Sequence, residues 1–416
     1  MTQKRSLLMP KQTAKFRFQP DWSKIGVGSA MVAIIASLYL FNLGGLVTAS
    51  PSEQLMIDQG NSVSNLFSNP LLLPYKLLAF ILLQLPGSDL LHVRLTSVLG
   101  TCVSVWLFFI VARRWYGLVT GLWTSVLFAA SGWVLQTGRA GTAASLIMLM
   151  VIGLINLASW VNNSDDDGRV LVVFAAAAGL SLFVPAGIWF VLASVVLLYK
   201  PLLAHRAAAS GKQVALAAGI FIVLFALLAV GLVQHTGLLA QWVGLPGELP
   251  GLVTLAKQAA FSLIYFVLKG PMLPESWLAH TPLLDVASSV FLLFGILFYA
   301  RHLGNARTRL LLSFVVIGIV LVALNGAGAL HYLVPAVYLV VGGGVAYVMH
   351  QWNKVFPRNP IARSVSVGLM VLLLACIVSF HAQRYFIAWR YSPNTVEAYR
   401  GQSKPTVDTP ATHLIQ

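Results

Sequence analysis

Residues 170–198 read VLVVFAAAAGLSLFVPAGIWFVLASVVLL. The run is apolar throughout, and about 20 helical residues suffice to cross a 30 Å hydrocarbon core. It is therefore too long for one comfortable span, and Val184-Pro185-Ala186 interrupts it. Proline lacks a backbone donor and clashes with the preceding helical turn, so two short helices joined near Pro185 are expected. The flanks agree. Residues 162–169 and 200–212 are polar and basic, as loops retained in the cytoplasm are. Two helices return the chain to the side it left, whereas one would not.

Working outward, further apolar segments lie at 25–47, 95–112, 116–135, 143–160, 214–233, 286–300, 310–324, 332–348 and 365–380. Together with the broken pair they predict an all-α polytopic membrane protein of about eleven spans. The run 71–85, interrupted by Pro74, Tyr75 and Lys76, is assigned to the interface, because a crossing there would move Arg113 and Arg114 to the outer side. A second interfacial helix is expected at 255–268. The composition demands a lipid solvent. Of 416 residues, 58% are hydrophobic and only 9% charged, against the roughly 25% charged of a soluble domain, and mean hydropathy is +0.82.

On this topology about two-thirds of the 27 Lys+Arg face the cytoplasm and about two-thirds of the 12 Asp+Glu face outward, the distribution the positive-inside rule describes. The net charge of +15 is thus a topology signal, and nucleic acid is not implied. The expected organisation is a cytoplasmic basic tail at 1–24, a transmembrane domain at 25–384 and a short extracytoplasmic tail at 385–416, in a cell (inner or plasma) membrane. No cleavable signal is expected, since 25–47 exceeds a signal h-region. Cys102 and Cys376 sit inside apolar runs, and no Cys/His spacing suits a metal.

The two longest loops, 48–92 and 234–285, face outward, and long loops tend to carry function. Glu53 and Asp58 follow the first span. A carboxylate there can act as a general base, or simply remain solvated. Arg94 and Arg139 at outer helix ends, Lys269 after the second interfacial helix and His331 at the start of the tenth span are cations or donors that can hold a lipid phosphate. The arginines can equally anchor to headgroups, and a lone histidine can be a structural hydrogen-bonder. Gly342-Gly343-Gly344 lies within an apolar helix and reads as close helix packing. Asp165-Asp166-Asp167 reads as a solvated cytoplasmic turn. No acid or base sits mid-bilayer, which argues against an ion-coupled transporter.

The order of several short motifs resembles the superfamily of membrane glycosyltransferases that use polyprenyl-phosphate sugar donors (the GT-C fold), which includes protein O-mannosyltransferases and lipid A aminoarabinose transferases. An acid after the first span is followed by Asn69-Pro70 and Pro74-Tyr75. Gly87-Ser88-Asp89 leads into Arg94-Leu95-Thr96-Ser97-Val98-Leu99-Gly100, then Arg113-Arg114-Trp115-Tyr116-Gly117 and Gly138-Arg139. Pro282-Leu283-Leu284-Asp285, His331-Tyr332-Leu333-Val334-Pro335, and Tyr385 to Trp389 with Pro393 and Tyr399 complete the likeness. It spans roughly Leu46 to Arg400.

The resemblance implies sugar transfer from a polyprenyl-phosphate donor to an acceptor on the extracytoplasmic face of the cell envelope. Glu53 would be the catalytic base, with Asp58, Tyr75, Arg94, Arg139, Lys269 and His331 binding substrate. It implies no certain cofactor, and the partners are membrane lipid and a lipid-linked sugar. The family's first-loop pair is Asp-Glu, and here it is Ser52-Glu53, so only Glu53 carries that role over. An Asp expected some five residues after Arg139 is missing, and His331 stands where Arg is usual. The alternatives are a non-catalytic lipid-carrier binder or flippase-like module, or an O-antigen ligase or polymerase.

Overall fold

The computed structural model describes residues 35–45, 48–164 and 168–400. Most of the expected first span, the cytoplasmic tail, Asp165-Asp166-Asp167 and the last residues of the C-terminal tail lie outside that set. Among the described residues no strand is present. Among the described residues seven helices are long and apolar enough to cross a bilayer, and an eighth is added if Leu118–Ala130 and Gly132–Arg139, bent by 60°, are one broken span. Each coincides with an expected span. Two more expected spans, Gly168–Ser181 and Val286–Ala300, are helices of 14 and 15 residues, short of the ~20 a full crossing takes. The expected interfacial segments form helices Leu73–Leu83, of 11 residues, and Leu252–Val267, of 16. At ~1.5 Å per residue the first reaches only about half the core thickness.

The break near Pro185 is present: helix ends at Ser181 and resumes at Gly187. Irregular backbone at membrane depth is tolerated only where protein satisfies its polar groups. Here protein does so at every exposed position of the turn. Trp242 Nε1 donates to the Leu182 carbonyl at 2.8 Å and Tyr332 Oη to the Pro185 carbonyl at 2.6 Å. Leu72 N donates to Phe183 O at 2.7 Å, and Ala186 N to Trp242 O at 2.8 Å. Leu72 and Ala186 both adopt positive φ, 63° and 57°, a strained backbone that these bonds hold.

The core forms where helix Asp89–Tyr116 packs on Leu118–Ala130 and Ala144–Asn163, with Phe108 stacked on Phe128 at 4.3 Å. Buried hydroxyls in the apolar helices are satisfied locally: Ser104, Ser125 and, in Gly187–Ala208, Ser194 each donate to the carbonyl four residues back. The glycine triplet does what its composition implies. Any Cβ on Gly344 would collide with the Phe291 carbonyl, and one on Gly343 with Tyr299. Only glycine lets Val334–Val355 approach Val286–Ala300 so closely.

Candidate functional site

Ser50-Pro51-Ser52-Glu53 starts a helix, Pro51–Gly60, rather than a loop. Ser50 and Glu53 close a capping box: Glu53 N donates to Ser50 Oγ at 3.2 Å, and Ser50 N to Glu53 Oε2 at 3.0 Å. Proline at the first position has no donor to lose. The signal was present as Ser-x-x-Glu, and it turns Glu53 inward, where the residue is 1% exposed.

There Glu53 meets Arg94, one turn into helix Asp89–Tyr116. Arg94 Nε donates to Oε1 at 2.8 Å and Nη2 to Oε2 at 3.1 Å, a bidentate pair. Gly141 N adds a fourth donor, to Oε1 at 2.9 Å. An ionised carboxylate offers about four acceptor positions, and all four are taken. The third nitrogen of Arg94 donates to Leu43 O at 3.1 Å. Glu53, expected in a loop as a general base or a solvated carboxylate, is thus paired and buried, joining the first span's end, the second span's start and the turn after Arg139.

Beside this pair lies a small pocket of about 30 Å³, lined among others by Glu53, Arg94, Gln136, Arg139, Arg390 and Tyr399. Three guanidinium groups therefore face one volume, with one carboxylate. Arg139 is rigidly held. Its Nη1 donates to Leu38 O and Tyr39 O at 3.0 and 2.7 Å, its Nη2 to Asn42 O at 3.1 Å, and its Nε to Tyr385 Oη at 3.2 Å. The ring of Phe386 lies 4.9 Å from its guanidinium carbon. It caps the orphan carbonyls at the end of the first span. Arg390 donates one bond, to Gly45 O at 2.6 Å. Tyr385 and Phe386 come from a π-helix, Arg384–Trp389, that continues the last span; such insertions recur at functional sites. The segment expected as a tail from 385 onward therefore supplies much of the lining. Burial pushes the Tyr399 hydroxyl well above its ordinary value, and the Glu53 charge adds to this, so it stays a neutral donor.

The other expected site residues do not line this pocket. Asp58 sits on the solvent side of its helix and accepts from Gln54 at 3.0 Å. Tyr75 is packed beside Met56 and Ile57, its hydroxyl 2.9 Å from Ser97 Oγ. Lys269 is exposed. His331 Nδ1 accepts from Trp133 Nε1 at 3.1 Å, and an indole N–H only donates, so that nitrogen carries no proton. A polar cluster that sequence reasoning missed lies nearby: His381 Nε2 and Asp285 Oδ2 are 3.2 Å apart, and Arg384 donates to Pro282 O at 2.6 Å. Among the described residues no three His, Cys, Asp or Glu side chains gather as metal ligands.

No family model matches this chain, and no curated protein does. Solved structures do. ArnT from Cupriavidus metallidurans in the apo state superposes with a TM-score of 0.58 at 13% identity, over 91% of this chain and 78% of that one. The same protein bound to undecaprenyl phosphate gives 0.57 at 14%, over 90% and 78%. At such identities the likeness establishes architecture: the chain is a multi-pass α-helical membrane protein with the GT-C fold.

Proposed function

We propose that this chain binds a polyprenyl-phosphate-linked sugar at the pocket beside Glu53 and transfers the sugar, with inversion, to a hydroxyl acceptor. The observation that carries the proposal is the meeting of Arg94, Arg139 and Arg390 on one volume, which leaves cationic charge beyond what Glu53 neutralises. A phosphate offers the oxygens that guanidinium donors pair with. Arg390 is the principal phosphate ligand, because only one of its nitrogens is engaged by protein among the described residues. Arg139 contributes field and rigidity rather than a free fork. The fold adds support, since a structure with this architecture is described as bound to undecaprenyl phosphate. In this proposal the pocket faces the extracytoplasmic side of the cell membrane, with the N-terminus cytoplasmic, a reading the distribution of basic residues supports.

Glu53 is a positioning residue in this scheme. It fixes Arg94 and the Gly141 turn, and it is not the base. A second reading has a specific observation in its favour: with the expected base fully paired, the chain binds a lipid carrier without transferring sugar. One experiment separates the two. Purified protein is titrated with undecaprenyl phosphate and its thermal stability followed, then incubated with a panel of polyprenyl-phosphate sugars. Stabilisation by carrier, lost in Arg390→Met, together with sugar transfer supports the transferase. Stabilisation without transfer for any donor supports the binder. Absence of both refutes the pocket assignment.

A further inference from the structure

The π-helix Arg384–Trp389 has two sides. Tyr385, Phe386 and Trp389 line the pocket beside Glu53. Arg384, Ile387 and Ala388, spaced as one helical face, line a second and larger cavity of about 500 Å³. This groove lies between the end of the last span and the start of Val286–Ala300, where Asp285 and Val286 also line it. Most of the remaining lining is apolar. Val286 is 83% exposed, Ile387 60% and Phe380 51%. Large apolar side chains left outward in this way mark a surface that meets lipid or a ligand rather than water.

One charge is set into this apolar lining. Arg384 is 8% exposed, its guanidinium carbon 4.4 Å from the Trp277 ring. Its Nη2 donates to Pro282 O at 2.6 Å. A guanidinium carries five N–H donors. Among the described residues this is the only hydrogen bond Arg384 makes, and its Nε is buried without a partner. Asp285 lines the same groove and does not pair with it. The Asp285 oxygens are taken by Ser288 N at 2.9 Å, Ser288 Oγ at 2.6 Å and His381 Nε2 at 3.2 Å. Among the described residues Arg384 therefore has no ion pair. A buried cation without a counter-charge is unfavourable. An arginine that only anchors its helix reaches bulk headgroups with an exposed tip, whereas Arg384 is enclosed and oriented. Arg94 is just as buried, and a carboxylate matches it. Arg384 lacks that match.

We infer that this groove binds an anionic glycerophospholipid, its phosphate on the Arg384 guanidinium and one acyl chain along the apolar lining. Guanidinium donors pair with phosphate oxygens in a fork, which supplies the counter-charge that the protein does not. A headgroup with its own cation would set that cation against Arg384, so a net negative lipid is preferred to a zwitterionic one. A cavity of about 500 Å³ falls in the range of single small-ligand sites, roughly 300–1,000 Å³. That suits one acyl chain, whereas a polyprenyl carrier chain is several times longer. Position agrees, because the groove lies at the ends of two apolar helices, the level where headgroups meet hydrocarbon. Arg384 and Arg390 face different cavities, so the lipid site stands apart from the proposed donor pocket and does not depend on the transferase reading.

The test uses the full chain purified in dodecyl maltoside, with dioleoylphosphatidylglycerol, dioleoylphosphatidylcholine and undecaprenyl phosphate as separate probes. Binding is read as lipid retained in native mass spectrometry and as the rise in unfolding temperature. Phosphatidylglycerol is expected to bind in preference to phosphatidylcholine. Arg384→Met is expected to weaken phosphatidylglycerol binding roughly 10–100-fold, through loss of charge-assisted bonds, and Arg384→Lys to recover part of it. Ala388→Trp, at an exposed position of the lining, fills the groove with the arginine intact and is expected to lose binding as well. That variant decides the matter if Arg384→Met fails to fold. Arg358→Met, at an exposed arginine beyond the opposite end of helix Pro360–Gln383, is expected to change nothing. Equal binding of the two phospholipids, or phosphatidylglycerol binding unchanged in either groove variant, overturns the proposal. So does a selective loss of undecaprenyl phosphate binding in those variants, which would make the groove part of the carrier site.

Discussion

Replacing Glu53 by Gln removes one charge and changes almost no volume, so its consequence is calculable from contacts. The carboxylate receives two charge-assisted bonds from Arg94 and one each from Ser50 N and Gly141 N. The amide keeps a single acceptor oxygen and turns an NH₂ towards donors. The larger loss is electrostatic. The Arg94 side chain is 3% exposed and that of Glu53 2%, so the guanidinium is left without its counter-charge in a poorly solvated place. An exposed pair would be worth about 0–1 kcal/mol. Breaking a buried pair on one side costs about 3–5 kcal/mol, roughly 10²–10⁴ in the folded-to-unfolded ratio. The assay is reversible unfolding of the purified protein in mixed detergent–SDS micelles, followed by tryptophan fluorescence, for Glu53→Gln, Arg94→Met and the double variant. Each single variant is expected to lose about 3–5 kcal/mol, and the double markedly less than the sum, because the pair is removed together. A loss under about 1 kcal/mol for Glu53→Gln, or additivity within about 0.5 kcal/mol, would refute the claim that Glu53 is a buried structural anion.

Tyr332→Phe leaves the Pro185 carbonyl without its 2.6 Å donor and is expected to destabilise by about 1–3 kcal/mol in the same assay; a neutral result would mean the broken helix is held by other means. Gly344→Ala places a methyl on the Phe291 carbonyl and is expected to cost about 1–3 kcal/mol of overpacking, whereas Gly219→Ala, with open space around it, is expected to be neutral or better. Lys76 is 1% exposed, its Nζ donating to Asn69 O at 3.0 Å, and burial lowers its pKa from 10.5 to about 8. Between those values the unfolded chain holds the proton and the folded chain does not, so stability is expected to rise as pH goes from about 8 to 10.5. Lys76→Met should lose that slope and be more stable at neutral pH; an unchanged pH profile would show that the ammonium is solvated.

Hydropathy and proline placement are local properties, and they carried most of the architecture. The end at Ala300 and start at Val286 of one helix, the break around Pro185 and the short helix over Leu73–Leu83 follow from runs of side chains that no packing partner needs to explain. The glycine triplet announced a close helix contact because a missing Cβ has few other uses in an apolar span. The Ser50-x-x-Glu53 capping box is equally local, and its helix-start signal is what distinguishes Glu53 from a loop carboxylate. The site was different in kind. Charged residues outside a span look alike in sequence, and burial sorts them. Arg94, Arg139 and Arg390 meet because the first, second, third and last spans end at one place. Lys269, of the same charge and on the same expected side, stays exposed on the surface. Glu53 and Arg94 are 41 residues apart and Pro282 and Arg384 are 102 apart. Which arginine is matched by a carboxylate and which keeps unused donors depends on partners delivered by distant segments, and only the tertiary structure brings those partners within hydrogen-bonding distance.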